Sequence, residues 1–515
     1  MAPLSAVIAF EAVGKRRSVW GWALGPGVSH AAKRIHVAWA GIFARTAGAI
    51  ERGAVLACAK AQILGRTLVL LLKVRVLALP NHDGPSRGAL RKMNSPPIAS
   101  RAASRFRSRL KSTFRSLHGY NYRIWAAGTT VSNVGTWMQR IAQDWLVLTE
   151  LTRHSGTAVG VVMSLQFGPP ILLMPLAGMA VDRCNLRKLL LVTQAAMALT
   201  ALALGVLVMA RLVTLWQVYL MAGIMGCISA FDSPARQTFI AELVGDDDLP
   251  NAVALNASLF NSAQLIGPAI AGLMIAAIGT GWVFMVNALS FVAVLASLMK
   301  MRVGELRPLH RGDEPSTGIA DGLRYVRSRP NLVIALIMLF LVGTYGLNFP
   351  IFISTMSVTA FHGSAGLYGG LSSTMAVGSV LGALLAAGRG RPSLVVLAAS
   401  AFAFGLACAL AAVMPSAWLF GAMLAALGAV AQTFTTSTNS LVQLSTDPPM
   451  RGRVMAIYMG IFLGCTPLGA PLVGWVADRF GPRWALGVAA GSGFIAAIVA
   501  TVYLVRRIEP AVQNG

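Results

Sequence analysis

After residue 122 the chain is a succession of apolar stretches, each closed by a charged or turn-rich break. A spanning helix needs roughly 20 mostly apolar residues. Twelve such stretches can be counted, at about 123–149, 157–181, 189–210, 214–235, 251–279, 281–299, 331–356, 364–388, 393–413, 416–441, 454–477 and 484–505. Inside a bilayer a segment of this kind must satisfy its own backbone polar groups, which a helix does. The pattern therefore predicts an all-α membrane protein with twelve transmembrane helices. Composition agrees: charged residues make up 12% of the chain and AVILMFWYC residues 56%, where a soluble domain has about a quarter charged.

The net charge of +25 resembles that of a nucleic-acid binder until it is placed along the chain. Residues 1–122 hold 20 Lys/Arg against 3 Asp/Glu, or +17, and residues 123–515 hold 23 against 15, or +8. With the N-terminus cytoplasmic, 17 of those 23 basic residues fall in inner loops and the C-terminal tail. This bias orients both termini inward, as expected of an integral protein of a bacterial inner membrane. No nucleic-acid partner is implied. The five cysteines stand singly, and the seven histidines lie outside the apolar stretches, so neither a metal site nor a cofactor is indicated. No G-x-x-x-x-G-K-[ST] loop occurs. The chain reads as no enzyme, and any work must draw on a source other than ATP bound to it.

Six regions follow. Residues 1–92 contain an apolar run, 53–79, broken by Lys60, Arg66, Lys73 and Arg75, which is too costly for a span. The expectation is that translation starts at Met93 and that residues 1–92 are a disordered or non-native extension. Residues 93–122 form a basic cytoplasmic segment, with Phe106, Leu110, Phe114 and Leu117 on one face of a surface helix drawn to anionic lipid. A six-helix bundle (123–300) is followed by a central cytoplasmic loop (301–330). The end of that loop sets Ile319, Leu323 and Val326 at helical spacing beside Arg324 and Arg327. A second six-helix bundle (331–505) and a tail (506–515) complete the chain. Phe231 and Phe434 are 203 residues apart, as are Pro268 and Pro471, which fits a pseudo-two-fold repeat.

Between spans two and three stands GMAVDRCNLRK, with Gly178, Asp182, Arg183, Arg187 and Lys188. This resembles the G-x-x-x-D-R-x-x-R-[RK] signature of the major facilitator superfamily. The resemblance implies that the glycine packs against span eleven and that the aspartate engages the positive N-terminal end of that helix, latching the cytoplasmic side. An ordinary positive-inside loop is the plainer alternative. In the second half, GALLAAGRGRP (382–392) has Ala386 in place of the aspartate. Span five carries NSAQLIGPAIAG, with Gly267, Pro268 and Gly272. It is similar to the G-P-x-x-G-G pattern of proton-coupled exporters in that superfamily, though Ala271 replaces one glycine; a structural kink is the alternative. The strings GTWMQRIAQDWLVLTELT, FDSPARQTFIAELV, DDDLPNAVALN and RGRVMAIYMG look like the branch containing enterobactin exporters and drug-efflux proteins. That likeness covers residues 105–505.

Ionisable groups inside a bilayer are costly and are functional candidates by default. Apart from Arg123, which flanks span one at its first position, only Arg140 and Asp144 in span one and Asp232 in span four fall within the spans. Arg140 and Asp144 are four apart and can share a face and pair, either neutralising each other or letting Asp144 carry protons. Asp232 and Arg236, also four apart, sit where span four is expected to reach the cytoplasm, open to gating or to helix capping. Candidate cavity groups are Gln139, Asn348, Gln432 and Asn439. The function expected is proton-coupled export of a small amphipathic molecule, a drug or siderophore, by a monomer working through alternating access. An importer or uniporter of the same fold, or a non-transporting receptor, is the alternative.

Overall fold

A computed structural model describes residues 115–245, 247–307, 319–387 and 393–513. Contacts divide the chain into Met1–Pro97 and Ile98–Gly515, and every described residue belongs to the second unit. The expectations for residues 1–92, for most of the basic segment and for Arg389 and Arg391 lie outside the described residues.

The first half comprises α1 (Tyr120–Trp145), α2 (Gly156–Leu172), α3 (Met174–Arg183), α4 (Leu186–Met209), α5 (Leu215–Leu243), α6 (Leu249–Ile278) and α7 (Thr280–Lys300). After a short helix α8 (Ile319–Arg327) come α9 (Pro330–Gly346), α10 (Phe349–Thr355), α11 (Ala365–Ala387), α12 (Leu394–Val413), α13 (Ala417–Leu444), α14 (Arg451–Phe480) and α15 (Pro482–Gln513). Among the described residues, ten helices are long and apolar enough to cross a membrane, and the bent pair α2/α3 makes eleven. α1 has 26 residues but does not qualify, because Asn121, Asn133, Gln139, Arg140, Gln143 and Asp144 make it too polar. Large apolar side chains face outward, among them Trp216 (63% exposed) and Trp418 (89%). Such a periphery is stable in lipid and not in water, and the protein is an integral membrane protein.

Local sequence sets the ends of these helices. Ser155 caps α2 by accepting from the Ala158 N–H, and Asn185 caps α4 by accepting from that of Lys188. Gly279 and Gly481, at φ +91° and +100°, make the turns α6–α7 and α14–α15, a conformation open to glycine. They are 202 residues apart (481 − 279) and occupy equivalent joints.

Helix packing repeats in the same way. In the first half α1 and α4 pack on α7, α2 and α4 on α5, and α1 on α6; in the second, α9 and α12 pack on α15, α11 and α12 on α13, and α9 on α14. The halves meet where α2 packs on α14 and α6 on α11.

Three expectations need correction. Span two is not continuous: Pro169 and Pro170 remove backbone donors, and α2 and α3 meet at an angle of 56°. Span seven is interrupted at Leu347 and Asn348, between α9 and α10, while Pro330–Ala360 still counts as one of the ten spans. Span four does not end near Asp232. α5 continues past Pro234 to Leu243, which removes the capping role considered for that carboxylate. A short helix, α8, stands where the spacing from 319 predicts one, with Val326 buried, Leu323, Arg324 and Arg327 exposed, and the helix packed on α14.

Candidate functional site

Four residues on one face of α1, Trp137, Arg140, Ile141 and Asp144, follow at helical spacing and line a cavity of ≈ 210 Å³. Gln166, Phe167, Gln264 and Pro268 add to the wall from α2 and α6. The second half closes the cavity with Phe349 and Pro350, just after the break in span seven, and with Tyr368, Ser372 and Met375 of α11 and Thr466 of α14. The cavity therefore lies on the seam between the halves, at helices that are interrupted or proline-bearing, as in transporters whose sites use broken helices.

Asp144 is 6% exposed, and its Oδ2 accepts a hydrogen bond of 2.9 Å from the Tyr368 hydroxyl. This bond crosses the seam from α11 to α1. Arg140 shares this face of α1 and the cavity with Asp144, as the spacing suggests, but among the described residues no ion pair within 4.0 Å joins the two. Its guanidinium lies over the Trp137 ring, Cζ 4.6 Å from the centroid, and over the Phe167 ring at 5.4 Å. Two aromatic faces are the local alternative to a carboxylate for holding a cation.

Asp232 is also buried, but it lies away from this cavity. It accepts from Thr193 (2.8 Å), Gln194 (2.6 Å) and Arg236 Nε (2.6 Å), in a cluster joining α4 and α5. The four candidate cavity amides do not line the cavity either. Gln139 faces α7 and accepts from Asn287 at 2.6 Å; Gln432 donates to Thr436 and Asn439 accepts from Gln443, each one turn along its own helix. Asn348 is fully buried at the α9–α10 break, donating to the Thr344 carbonyl at 2.7 Å. Polarity within a span suggests a cavity, whereas Gln139, Gln432 and Asn439 bond along or between helices, and Asn348 donates within its own turn while its Oδ1 is buried without a partner among the described residues.

The two ends of the seam differ. At one end Asp478, the C-terminal carboxylate of α14, sits on the N-terminus of α2. It accepts from the backbone N–H of Gly156 (2.5 Å) and Thr157 (3.0 Å) and from the hydroxyls of Ser155 (2.9 Å) and Thr157 (2.6 Å). Unpaired N–H groups and the helix dipole make this a favourable place for an anion. On the same side the exporter-like motif of α6 fills the other crossing. A Cβ on Gly272 would stand 2.6 Å from the Ala365 carbonyl oxygen, and one on Gly267 would stand 2.6 Å from Trp137 Cβ. Only glycine lets these backbones approach so closely.

At the opposite end the resembling latch motif is apart. Gly178 and Asp182 are exposed, and a Cβ on Gly178 would meet nothing within 4 Å. The expected packing of Gly178 on span eleven is not made here, because the bend after Leu172 carries α3 onto α5. Arg183 and Lys188 are exposed, while Arg187 Nε donates to the Leu298 carbonyl at 2.8 Å and ties α4 to the end of α7. Tyr368 and Asp478 were not singled out from sequence. A signal for Asp478 did exist: Gly474, Asp478 and Arg479 repeat, at the end of span eleven, the G-x-x-x-D-R of Gly178, Asp182 and Arg183.

The profile of the family described as transmembrane secretion effector, within the major facilitator superfamily, matches residues 111–514. The chain is 26% identical to the staphyloferrin A transporter of Staphylococcus aureus over 68% of its length and 87% of that protein. It is 26% identical to the multidrug efflux pump Tap of Mycolicibacterium fortuitum, covering 68% and 87%, and 24% identical to the enterobactin exporter EntS of Escherichia coli, covering 70% and 86%. Among solved structures, the nucleoside transporter NupG aligns with a TM-score of 0.58 at 15% identity, over 74% of this chain and 98% of that one. An inward-facing bacterial homolog of the human lysosomal transporter Spinster gives 0.56 at 14%, over 74% and 94%. At such identities the likeness is one of fold. An all-helical membrane body, a cavity on the seam of a repeated helix pattern, and a profile match over nearly the whole described chain converge: the chain belongs to the transmembrane secretion effector family, a transporter of the efflux branch of the major facilitator superfamily.

Proposed function

We propose that the protein exports small amphipathic molecules by alternating access, as a monomer of twelve spans in two six-helix bundles, with transport coupled to a proton carried by Asp144. α1 supplies the first span and α2 with α3 the second. The observation that carries this reading is the buried bond from Tyr368 to Asp144 across the seam. A carboxylate accepts such a bond strongly, and its protonated form accepts it weakly. Protonation of Asp144 thus loosens one of the contacts holding α1 to α11, and the same cavity holds the cargo. Export rather than import is supported by relatives named as an exporter and an efflux pump.

The arrangement at the two ends supports an inward-open state. With the termini inside, the Asp478 contact lies on the outer side and Asp182 on the inner side. The tight glycine crossing of Gly272 on α11 closes the outside, and the open space at Gly178 leaves the inside apart. The G-x-x-x-D-R segment of Gly474, Asp478 and Arg479 then serves as an outer latch, its aspartate seated on the N-terminus of α2.

The test is transport by the full chain in proteoliposomes, using a panel of drugs and siderophores with and without an imposed pH gradient. Wild type is expected to accumulate at least one compound against its gradient, and Asp144→Asn to lose the gradient response while still binding the compound. Full gradient-driven transport by Asp144→Asn would remove the carboxylate from the mechanism. Movement in the cytoplasmic direction only would replace export by import.

A further inference from the structure

We infer that Arg140 is an anion-binding group of the cavity and that the cargo carries one negatively charged oxyanion, a carboxylate or sulfonate, attached to an aromatic or apolar body. This rests on the reading of the seam cavity as the cargo site and is independent of proton carriage by Asp144.

A guanidinium has five N–H donors, all pointing outward in its plane, and no acceptor of its own. Within a membrane each unused donor is costly. Among the described residues no carbonyl, hydroxyl or carboxylate accepts from Arg140, although the side chain lines the cavity. Trp137 and Phe167 cover the group at 4.6 and 5.4 Å between Cζ and ring centroid. Aromatic faces stabilise the charge but accept no conventional N–H bond, so the planar edge stays available. That edge matches two oxygens of a carboxylate or sulfonate.

The nearby carboxylate, Asp144, makes no ion pair with Arg140 among the described residues and accepts from Tyr368 through Oδ2, so it acts on Arg140 through its charge alone. Besides Arg140, Asp144 and Tyr368, no ionisable side chain among the described residues lines the cavity. One fixed cation therefore faces the ligand, with a carboxylate one turn further along α1. A single anionic group is favoured, and a second one would meet Asp144. Phe349, Met375 and the two rings on Arg140 offer apolar surface for the body of the molecule.

Two probes sharing one ring system separate charge from shape: naphthoate and naphthylmethylammonium. Their binding to the purified full chain in detergent is measured by calorimetry for wild type, Arg140→Gln and Arg140→Lys. Wild type is expected to prefer naphthoate. Arg140→Gln should weaken naphthoate by about tenfold or more, the scale of hydrogen bonds to a charged group, and leave the ammonium probe bound as well as before or better. Arg140→Lys, which keeps the charge, should fall between wild type and Arg140→Gln for naphthoate. The ammonium probe also reports that each variant is folded. Equal naphthoate affinity in wild type and Arg140→Gln overturns the inference, as does a parallel loss of both probes in Arg140→Gln. If wild type binds naphthoate through Arg140 yet moves no compound across proteoliposomes, the anion site stands and the transport reading fails.

Discussion

Removal of the Asp478 carboxylate is the most direct perturbation of the conformational balance. Asp478→Ala deletes the acceptor of four hydrogen bonds from Ser155, Gly156 and Thr157, two of them backbone N–H groups at the start of α2. Loss of a capping side chain costs about 0.5–2 kcal/mol. The two hydroxyls add to this, but the carboxylate is exposed and its charge is screened by solvent. A total of about 2 kcal/mol follows, and it applies only to the state in which the outer end is shut. The ratio of outer-closed to outer-open molecules should therefore fall roughly 30-fold. Asp478→Asn keeps one acceptor and should lose about half that free energy, a factor of roughly five. Spin labels at Arg153→Cys and Trp484→Cys, in a chain whose five native cysteines are replaced, report the separation of the halves at this end by pulsed electron resonance. The long-distance population is expected to rise in the order wild type, Asn, Ala. Superimposable distance distributions for wild type and Asp478→Ala would refute the latch, because a contact that differs between two states must shift their populations when removed.

Two further substitutions test the frame around the cavity. Gly272→Val puts a branched side chain where even a Cβ would stand 2.6 Å from the Ala365 carbonyl. Overpacking of this kind costs about 1–3 kcal/mol, and the variant should make the outer end of α6 and α11 more accessible to a membrane-impermeant thiol reagent at a nearby introduced cysteine. Asp232→Ala strands Arg236 in a buried cluster, at a cost of about 3–5 kcal/mol. A clear drop in melting temperature is expected in detergent, whereas Asp232→Asn, which can still accept from Thr193 or Gln194, should lose less.

The spans were legible because hydropathy needs no tertiary information. What hydropathy hides is interruption. Pro169 and Pro170, and the Leu347–Asn348 step, lie in sequence apolar enough to read as unbroken helix. Asp144 and Arg140 could be found because charge in a span is rare. Tyr368 could not, since a lone tyrosine in a small-residue helix is unremarkable and its partner is 224 residues away in the chain. Asp478 fell just beyond the expected end of span eleven at residue 477, where a carboxylate reads as an ordinary loop residue. Pro234 after Asp232 looked like the end of a helix, but a proline in a membrane helix can leave the helix continuous when neighbours supply the missing contacts.

The elbow after Leu172 has a mechanical consequence. α3 has ten residues, an arm of about 15 Å at ~1.5 Å per residue. Turned through 56°, its tip swings by about 12 Å relative to a straight helix. The G-x-x-x-D-R segment of α3 is thus set that far aside while the start of α2 is fastened to α14. Span two has the shape of a crank rather than a rod, so its two ends are held by different neighbours, α14 at one and α5 at the other.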